Sequence, residues 1–353
     1  MTHAYERRYH AWDISYHPLA EIRPVPGSAN KLLELTVTNQ IKTLWGVGAG
    51  APGYRFFLEG AAEFLHEGSS SFAYDVASDR LLYAPADGRA PGAAEGGGGG
   101  VSVPKLHELV RGDGASDVAL HSLTFQHSAV DYSTCFATTP LSQLDVTSAS
   151  SDLFCEMQSA ADQTVAALHW TNSERIVVSN TTVRHTGGYA IWFDSGCRDS
   201  GVYRSQLYDL GAGGVRMTAA HNITLTDSVL EDGGRVWRQG VGVLMQTANV
   251  SFVAHNTIRR FYYTGISIGW SWGFAPTSNY GSVIRMNNIS TIGQGELSDL
   301  GCIYHLGIDP GTLIEANVCS DVESYNYGAW GELSSAVLCA LVLCRAACCC
   351  ATL

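Results

Sequence analysis

The sequence predicts an all-β solenoid, a right-handed parallel β-helix, with a non-repetitive β-rich region ahead of it and an aberrant tail behind. Three observations predict this class. A short strand-like phrase that closes on an apolar residue recurs from residue 116 onward. Glycine accounts for 38 of the 353 residues, which suits a chain of short strands and corners. Charged residues are only 15%, against about 25% in an average soluble domain, so long solvent-facing helices are not expected.

The recurring phrases run over 118–125, 176–183, 202–207, 223–229, 250–258, 283–289 and 313–319. From the second onward their closing residues are Val183, Leu207, Val229, Ile258, Ile289 and Cys319, at spacings of 24, 22, 29, 31 and 30. A period in this range marks stacked repeats that bury a common core. Alternating, β-branched phrases exclude helical repeats. No recurring L-x-x-L-x-L frame supports a leucine-rich repeat. In a parallel β-helix each strand pairs with its counterpart one coil away, about 4.8 Å distant. The closing residues then form one inward ladder. Asn180, Asn256 and Asn288 are expected at coil corners, where Asn tolerates a left-handed backbone. The sequons at Asn180, Asn222, Asn249 and Asn288 are the competing, glycan-acceptor reading of such positions.

Domain organisation follows from where the repeat starts and stops. Residues 1–115 form the non-repetitive β-rich region. In it Tyr54 to Leu58 and Ser71 to Ala84 read as strands, the latter with a turn between Asp75 and Asp79, and 92–100 is a Gly-rich loop. Residues 116–331 form the β-helix, with a polar insertion over 138–163. Residues 332–353 form a Cys-rich apolar tail, read as a gene-model artefact. The alternatives for it are a short membrane anchor and a loose prenylation box over Cys350 to Leu353, with Cys348 and Cys349 as acylation sites. The first 17 residues contain no apolar run of signal-peptide type.

Composition narrows the partners. Hydrophobic residues are 46%, enough for a sizeable core, and 33 acidic against 21 basic residues give a net charge of −12. The only lysines are Lys31, Lys42 and Lys105. This balance argues against nucleic acid and against an anionic membrane. Of ten cysteines, five lie in the last fifteen residues. Cys135, Cys155, Cys197, Cys302 and Cys319 are scattered without a CxxC pair, so no metal site is expected and they read as lone buried thiols. No cofactor is expected, and the chain reads as a monomer.

The corners after each closing strand carry the chemistry. They hold Trp192, Trp237, Tyr263, Trp270, Trp272, Tyr304, Tyr327 and Trp330, together with His185, Asp209, Arg216, Asp232, Arg235 and Asp299. Stacking would bring them to one face. Rings that take the apolar face of a sugar, beside a few carboxylates and arginines that take its hydroxyls, suit a polysaccharide or oligosaccharide. The plainer alternative is that the rings cap the coils and the Asp residues make turns.

The phrases Gly187 to Ala190, Leu210 to Arg216, Tyr263 to Gly273 and Ser298 to Gly307 resemble the right-handed β-helix repeat proteins of the pectin lyase fold, and within them glycoside hydrolase family 141. The resemblance runs from about Tyr54 to Gly331. It implies a carbohydrate-active, secreted or extracytoplasmic protein whose two catalytic acids are Asp residues on adjacent coils. Asp299 matches the first. The second follows a Tyr-Gly-Gly-Trp-Gly phrase in an Asp-Glu-Gly motif; Tyr327 to Gly331 matches the lead-in, but Glu332-Leu-Ser-Ser follows it. Asp232 is then the substitute acid, and the chain as written reads as inactive for want of the motif. Cys302 stands where Gly is usual and His305 where Thr is usual; His305 joins the substrate-facing set. Coils that usually precede the Tyr54 region are missing. The alternative functions are a polysaccharide lyase, with Arg216 or Arg235 as base, and a non-catalytic carbohydrate-binding or structural β-helix.

Overall fold

A computed structural model describes residues 5–9, 12–28, 32–37, 55–75, 78–89, 101–130, 160–162, 164–271 and 275–325. The chain divides into two compact units. The first comprises 1–10, 14–103 and 132–156, and the second 11–13, 104–131 and 157–353.

In the first unit Leu33–Val37, Ile14–Pro24, Tyr5–Tyr9 and Phe56–Glu59 form an antiparallel sheet in that order. Tyr9, Ile14 and Tyr16 are buried in it. Ser71–Asp75 and Arg80–Ala84 pair as the expected antiparallel hairpin.

The second unit is a parallel β-helix of seven described turns with three faces. The first sheet stacks Val110–Asp113, Ala166–Thr171, Tyr189–Phe193, the start of Val215–Thr226, Val243–Asn249, Ile266–Ile268 and Ile303–His305. The second stacks Ala119–His121, Val177–Ser179, Arg198–Tyr203, the end of Val215–Thr226, Phe252–Ala254, Val283–Arg285 and Leu313–Glu315. The third stacks Thr124–Gln126, Thr182–Thr186, Gln206–Leu210, Val229–Glu231, Thr257–Phe261, Asn288–Ile292 and Val318–Val322. Among the described residues of this unit there is no α-helix. The first turn opens at Val110, ahead of Ser116.

The inward ladder forms with one change of register. Val183, Leu207, Leu230, Ile258, Ile289 and Cys319 are Cα partners in succession. Leu230, fully buried, takes the place expected for Val229, which is half-buried. Side chains alternate along a strand, so a shift of one residue exchanges inside for outside. Burying each such aliphatic side chain stabilises the stack by about 1.5–3 kcal/mol.

The corner between the second and third sheets is a polar ladder. The backbone amides of Thr181, Ser205, Ser228, Asn256 and Asn287 donate to the side chains of Ser205, Ser228, Asn256, Asn287 and Asn317, at 3.0–3.2 Å. Each buried amide thus finds an acceptor one coil away. Asn256 belongs to this ladder, as expected of a corner residue, but its next member is Asn287 and not Asn288. Asn180 has the expected left-handed backbone, at φ 50°.

Two of the scattered cysteines are not lone thiols. Cys302 and Cys319 form a disulfide across 17 residues of sequence. Cys197 is free and buried, as expected. Cys135, Cys155 and the tail from residue 332 lie outside the described residues.

Candidate functional site

The first sheet carries one outward row. Arg111, His169, Trp192, Arg216, Leu244, Ser267 and Tyr304 are successive Cα partners. Their strand neighbours form two ladders that face the coil interior, so this row points away from that interior; His169, Arg216, Leu244 and Ser267 in it are nonetheless buried.

The N-terminal half of the row is filled by its own stacking. The His169 imidazole lies 4.2 Å from the Trp192 ring at an interplanar angle of 2°. The Arg216 guanidinium lies 3.8 Å from the Trp192 centroid. Trp192 is therefore sandwiched between partners from the coils before and after it. With both ring faces covered, it is not a free sugar platform, contrary to the sequence expectation. Its Nε1 donates to Thr218 Oγ1 at 3.2 Å. Arg216, 6% exposed, also donates to Thr218 Oγ1 at 3.1 Å and to the Thr164 carbonyl at 3.4 Å. Burial pulls its pKa down, against the opposing charges of Tyr189, Asp162 and Asp194.

His169 is bracketed by two carboxylates, Glu108 at 2.5 Å from Nδ1 and Asp194 at 3.3 Å from Nε2. Burial works against its charged form, but the hydrogen bonds and charges of Asp194 and Glu108 outweigh it and raise the pKa. The sequence reading missed this cluster. Glu108 and His169 are 61 residues apart and meet only because one turn spans the long insertion.

The C-terminal half of the row is built differently. Asp299 sits in the loop between Asn288–Ile292 and Ile303–His305, with a left-handed backbone at φ 55° that Asp tolerates. The Tyr304 hydroxyl donates to Asp299 Oδ2 at 3.0 Å. Tyr304 lies beside Ser267 in register, and Trp270 Nε1 donates to Ser267 Oγ at 3.2 Å. Burial pushes the Asp299 carboxyl up in pKa, and the Tyr304 hydrogen bond offsets only part of that. Tyr304 is itself raised by burial and by the Asp299 charge. Tyr263, fully enclosed, is raised by burial and then by Tyr304, Asp299 and Asp13. Tyr263 is 3% exposed, so it supports this cluster from within and does not offer a sugar-facing ring. Asp13, also buried, is a second carboxylate whose charge reaches Tyr263. Nothing in its local sequence signals this.

His185, Asp209 and Asp232 lie in a different row. Each stands two positions after an inward ladder residue, at the corner that leaves the third sheet, with φ of 52°, 53° and 55°. His185 Nδ1 meets Asp209 Oδ2 at 2.6 Å, and its ring stacks on His127 at 5.0 Å. Arg235 pairs with Asp209 at 3.4 Å. Asp232 takes a two-point ion pair from Arg260, at 2.6 and 2.8 Å. That hydrogen bonding, outweighing burial, holds its pKa down. One groove joining Asp299 to His185, Asp209 and Asp232 was the expectation. The register instead puts His185, Asp209 and Asp232 in a corner column, Arg216 and Tyr304 on the outward-pointing row of the first sheet, and Asp299 in the loop that leads into that row. Equal offset from the closing strand places His185, Asp209 and Asp232 together, but Asp299 follows its ladder residue by ten positions, Arg216 by nine.

Two more expectations change. Trp237 is fully buried and offers no face to solvent. His305 continues the inward row of Trp170, Phe193, Met217, Met245 and Ile268, and its Nε2 lies 3.2 Å from Asp309 Oδ2. Trp272, Tyr327 and Trp330 lie outside the described residues. Among the described residues, no group of three or more His, Cys, Asp or Glu side chains is placed to hold a metal ion. No described helix is long and apolar enough to cross a membrane.

Comparison with known proteins agrees with this architecture. A family model described as a right-handed β-helix region matches residues 166–325. The chain is a right-handed parallel β-helix protein. A solved structure described as a glycoside hydrolase superposes with a TM-score of 0.65 at 13% identity, over 89% of this chain and 59% of that one. The likeness is one of fold, and the chain spans about three-fifths of that structure's length. A search of curated proteins finds no match.

Proposed function

We propose that this chain is a carbohydrate-active β-helix protein of glycoside hydrolase type, with Asp299 as the general acid. The observation that carries the reading is the Asp299–Tyr304 pair. It is a carboxyl group partly withdrawn from water and held by the Tyr304 phenol; Tyr304 neighbours Ser267, to which Trp270 Nε1 donates. A carboxyl group whose pKa is raised holds its proton to higher pH than a free one and is better placed to deliver it to a leaving glycosidic oxygen. As that bond breaks, the proton passes to the departing sugar and Asp299 becomes a carboxylate, which the Tyr304 hydroxyl then stabilises. Trp270 takes the apolar face of a sugar ring. Hydrolysis also requires a second carboxyl group, about 5–5.5 Å away for retention or 6.5–9.5 Å for inversion. Asp232 is less suited than expected, because Arg260 engages it in the corner column. The lyase alternative asks for a free arginine base, whereas Arg216 is enclosed over Trp192 and Arg235 is paired with Asp209.

The test is release of reducing sugar from a panel of plant and algal polysaccharides by the chain and by Asp299→Asn. The substitution keeps shape and removes the proton. The expected result is a loss of roughly 10²–10⁴-fold in kcat with unchanged folding. Full activity in Asp299→Asn, or products absorbing near 235 nm in place of reducing ends, would overturn the reading.

A further inference from the structure

We propose that the Cys302–Cys319 disulfide is a redox-sensitive staple that positions Asp299 and Tyr304, so that the site forms only in the oxidised protein. The inference rests on the reading of Asp299 as the acid, and it starts from a pattern inside the solenoid.

In successive turns, the residue that opens the first-sheet strand faces the ladder residue that closes the same turn. In three turns the opener is glycine. A Cβ on Gly214 would meet Leu230 at 2.5 Å, one on Gly242 would meet Ile258 at 2.6 Å, and one on Gly265 would meet Ile289 at 2.6 Å. Such separations are too short for any side chain. In the next turn the opener is Cys302 and the closer is Cys319, and the two are bonded. Glycine and aliphatic residue have thus been replaced together by the one pair of side chains that can share that space, through a covalent bond. A lone cysteine at either position would clash or leave a gap.

The staple sits within the site loop. Cys302 is three residues after Asp299 and two before Tyr304. The carbonyls of Gly301 and Cys302 accept from the amides of Gly265 and Ile266 at 3.2 and 2.8 Å. The bond therefore ties the segment from Asp299 to Tyr304 to the third sheet, across the interior. Reduction breaks the S–S bond, takes up two electrons and two protons from a dithiol such as dithiothreitol, and leaves two thiols. These no longer fit within bonding distance where glycine and isoleucine touch in the turn before. The loop must shift, and Asp299 and Tyr304 shift with it. Both cysteines are positioning residues, since neither is placed to touch substrate.

The test uses the whole chain. Under non-reducing conditions, cleavage before Asp299, Asp309 and Asp321 gives 299–308 and 309–320, each with one cysteine. Mass mapping should find them joined, and finding both as free thiols would overturn the proposal. With reductant, Asp299-dependent sugar release should fall at least tenfold, with kcat affected more than KM. The double variant C302G/C319I restores the packing of the preceding turn. It should be active and indifferent to reductant. Unchanged activity in protein shown to be reduced, or equal loss in the double variant, would overturn the staple. If no form of the chain releases sugar, the functional reading fails alone. Hydrogen exchange at the Gly265 and Ile266 amides still decides the staple. It should quicken at least tenfold on reduction of the natural chain and not in the double variant, and no change would sink the proposal.

Discussion

His169, Trp192 and Arg216 occupy the same outward row as Ser267 and Tyr304, one coil after another. In the N-terminal half the ring is stacked on both faces, and His169 and Arg216 are engaged by Glu108, Asp194, Thr218 and Thr164. In the C-terminal half a carboxyl group accepts from a phenol, and the Trp270 indole donates by its edge to Ser267. Both halves are rich in rings and charges, and a sequence presents them as equivalent. What differs is how far the coil spacing satisfies each group. A tryptophan between an imidazole and a guanidinium about one strand spacing away on either side is consumed by the scaffold. A carboxyl group with one hydrogen bond retains capacity for a substrate.

The largest effect that would test this contrast comes from the two tryptophans. Trp192→Ala should lower stability by about 2–3 kcal/mol, because it empties the stack between His169 and Arg216. It should leave oligosaccharide binding nearly unchanged. Trp270→Ala should cost under about 1 kcal/mol in stability yet weaken binding about fivefold to tenfold. Thermal melts and titration calorimetry on the same two variants check both. Exchange of the two outcomes would break the comparison.

A smaller effect distinguishes the halves by pH. The folded-state pKa of His169 is raised above its unfolded value. Its contribution is therefore fully present below the unfolded pKa, near 6.5, and is lost as pH rises through the folded value. His169→Gln should cost about 1–2 kcal/mol at pH 5, and less at pH 9. For Asp299 the same sign check gives stability that falls as the carboxyl ionises. Asp299→Asn should therefore melt slightly higher than the natural chain at neutral pH and no higher at pH 3. A pH-independent difference for either would show that the charge is not what matters there.

How much of this was legible in the sequence depends on where the information lies. The solenoid was legible because spacing in the chain becomes spacing in the stack, and a period of 22 to 31 residues survives variation in its details. The register was less so. Val229 and Leu230 are adjacent, both apolar, and only the pairing of Leu207 with Leu230 chooses between them. Asn287 and Asn288 pose the same ambiguity. The Cys302–Cys319 bond was hidden because its partners meet only through a whole turn of the coil. Asp299 and Tyr304 stand five residues apart in one phrase, so their hydrogen bond is local in the sequence. Their separation from His185, Asp209 and Asp232 was not legible, because the loop after Ile292 carries extra residues that break the common offset.

The smallest predicted effect bears on that separation. Asp232 is held ionised by Arg260, so its stabilisation is present above the unfolded pKa and lost as pH falls through the folded one. Both side chains are more than a third exposed, and water screens most of the attraction. Asp232→Asn should therefore cost under about 1 kcal/mol at pH 7, and progressively less as pH falls below its unfolded pKa, about 3.9. If the corner column is scaffold, this variant should also release sugar at the natural rate, whereas Asp299→Asn should not. A loss in Asp232→Asn as large as that in Asp299→Asn would join the two rows into one site. It would also restore Asp232 as the second carboxylate, with Arg260 holding it ionised as a base or nucleophile must be.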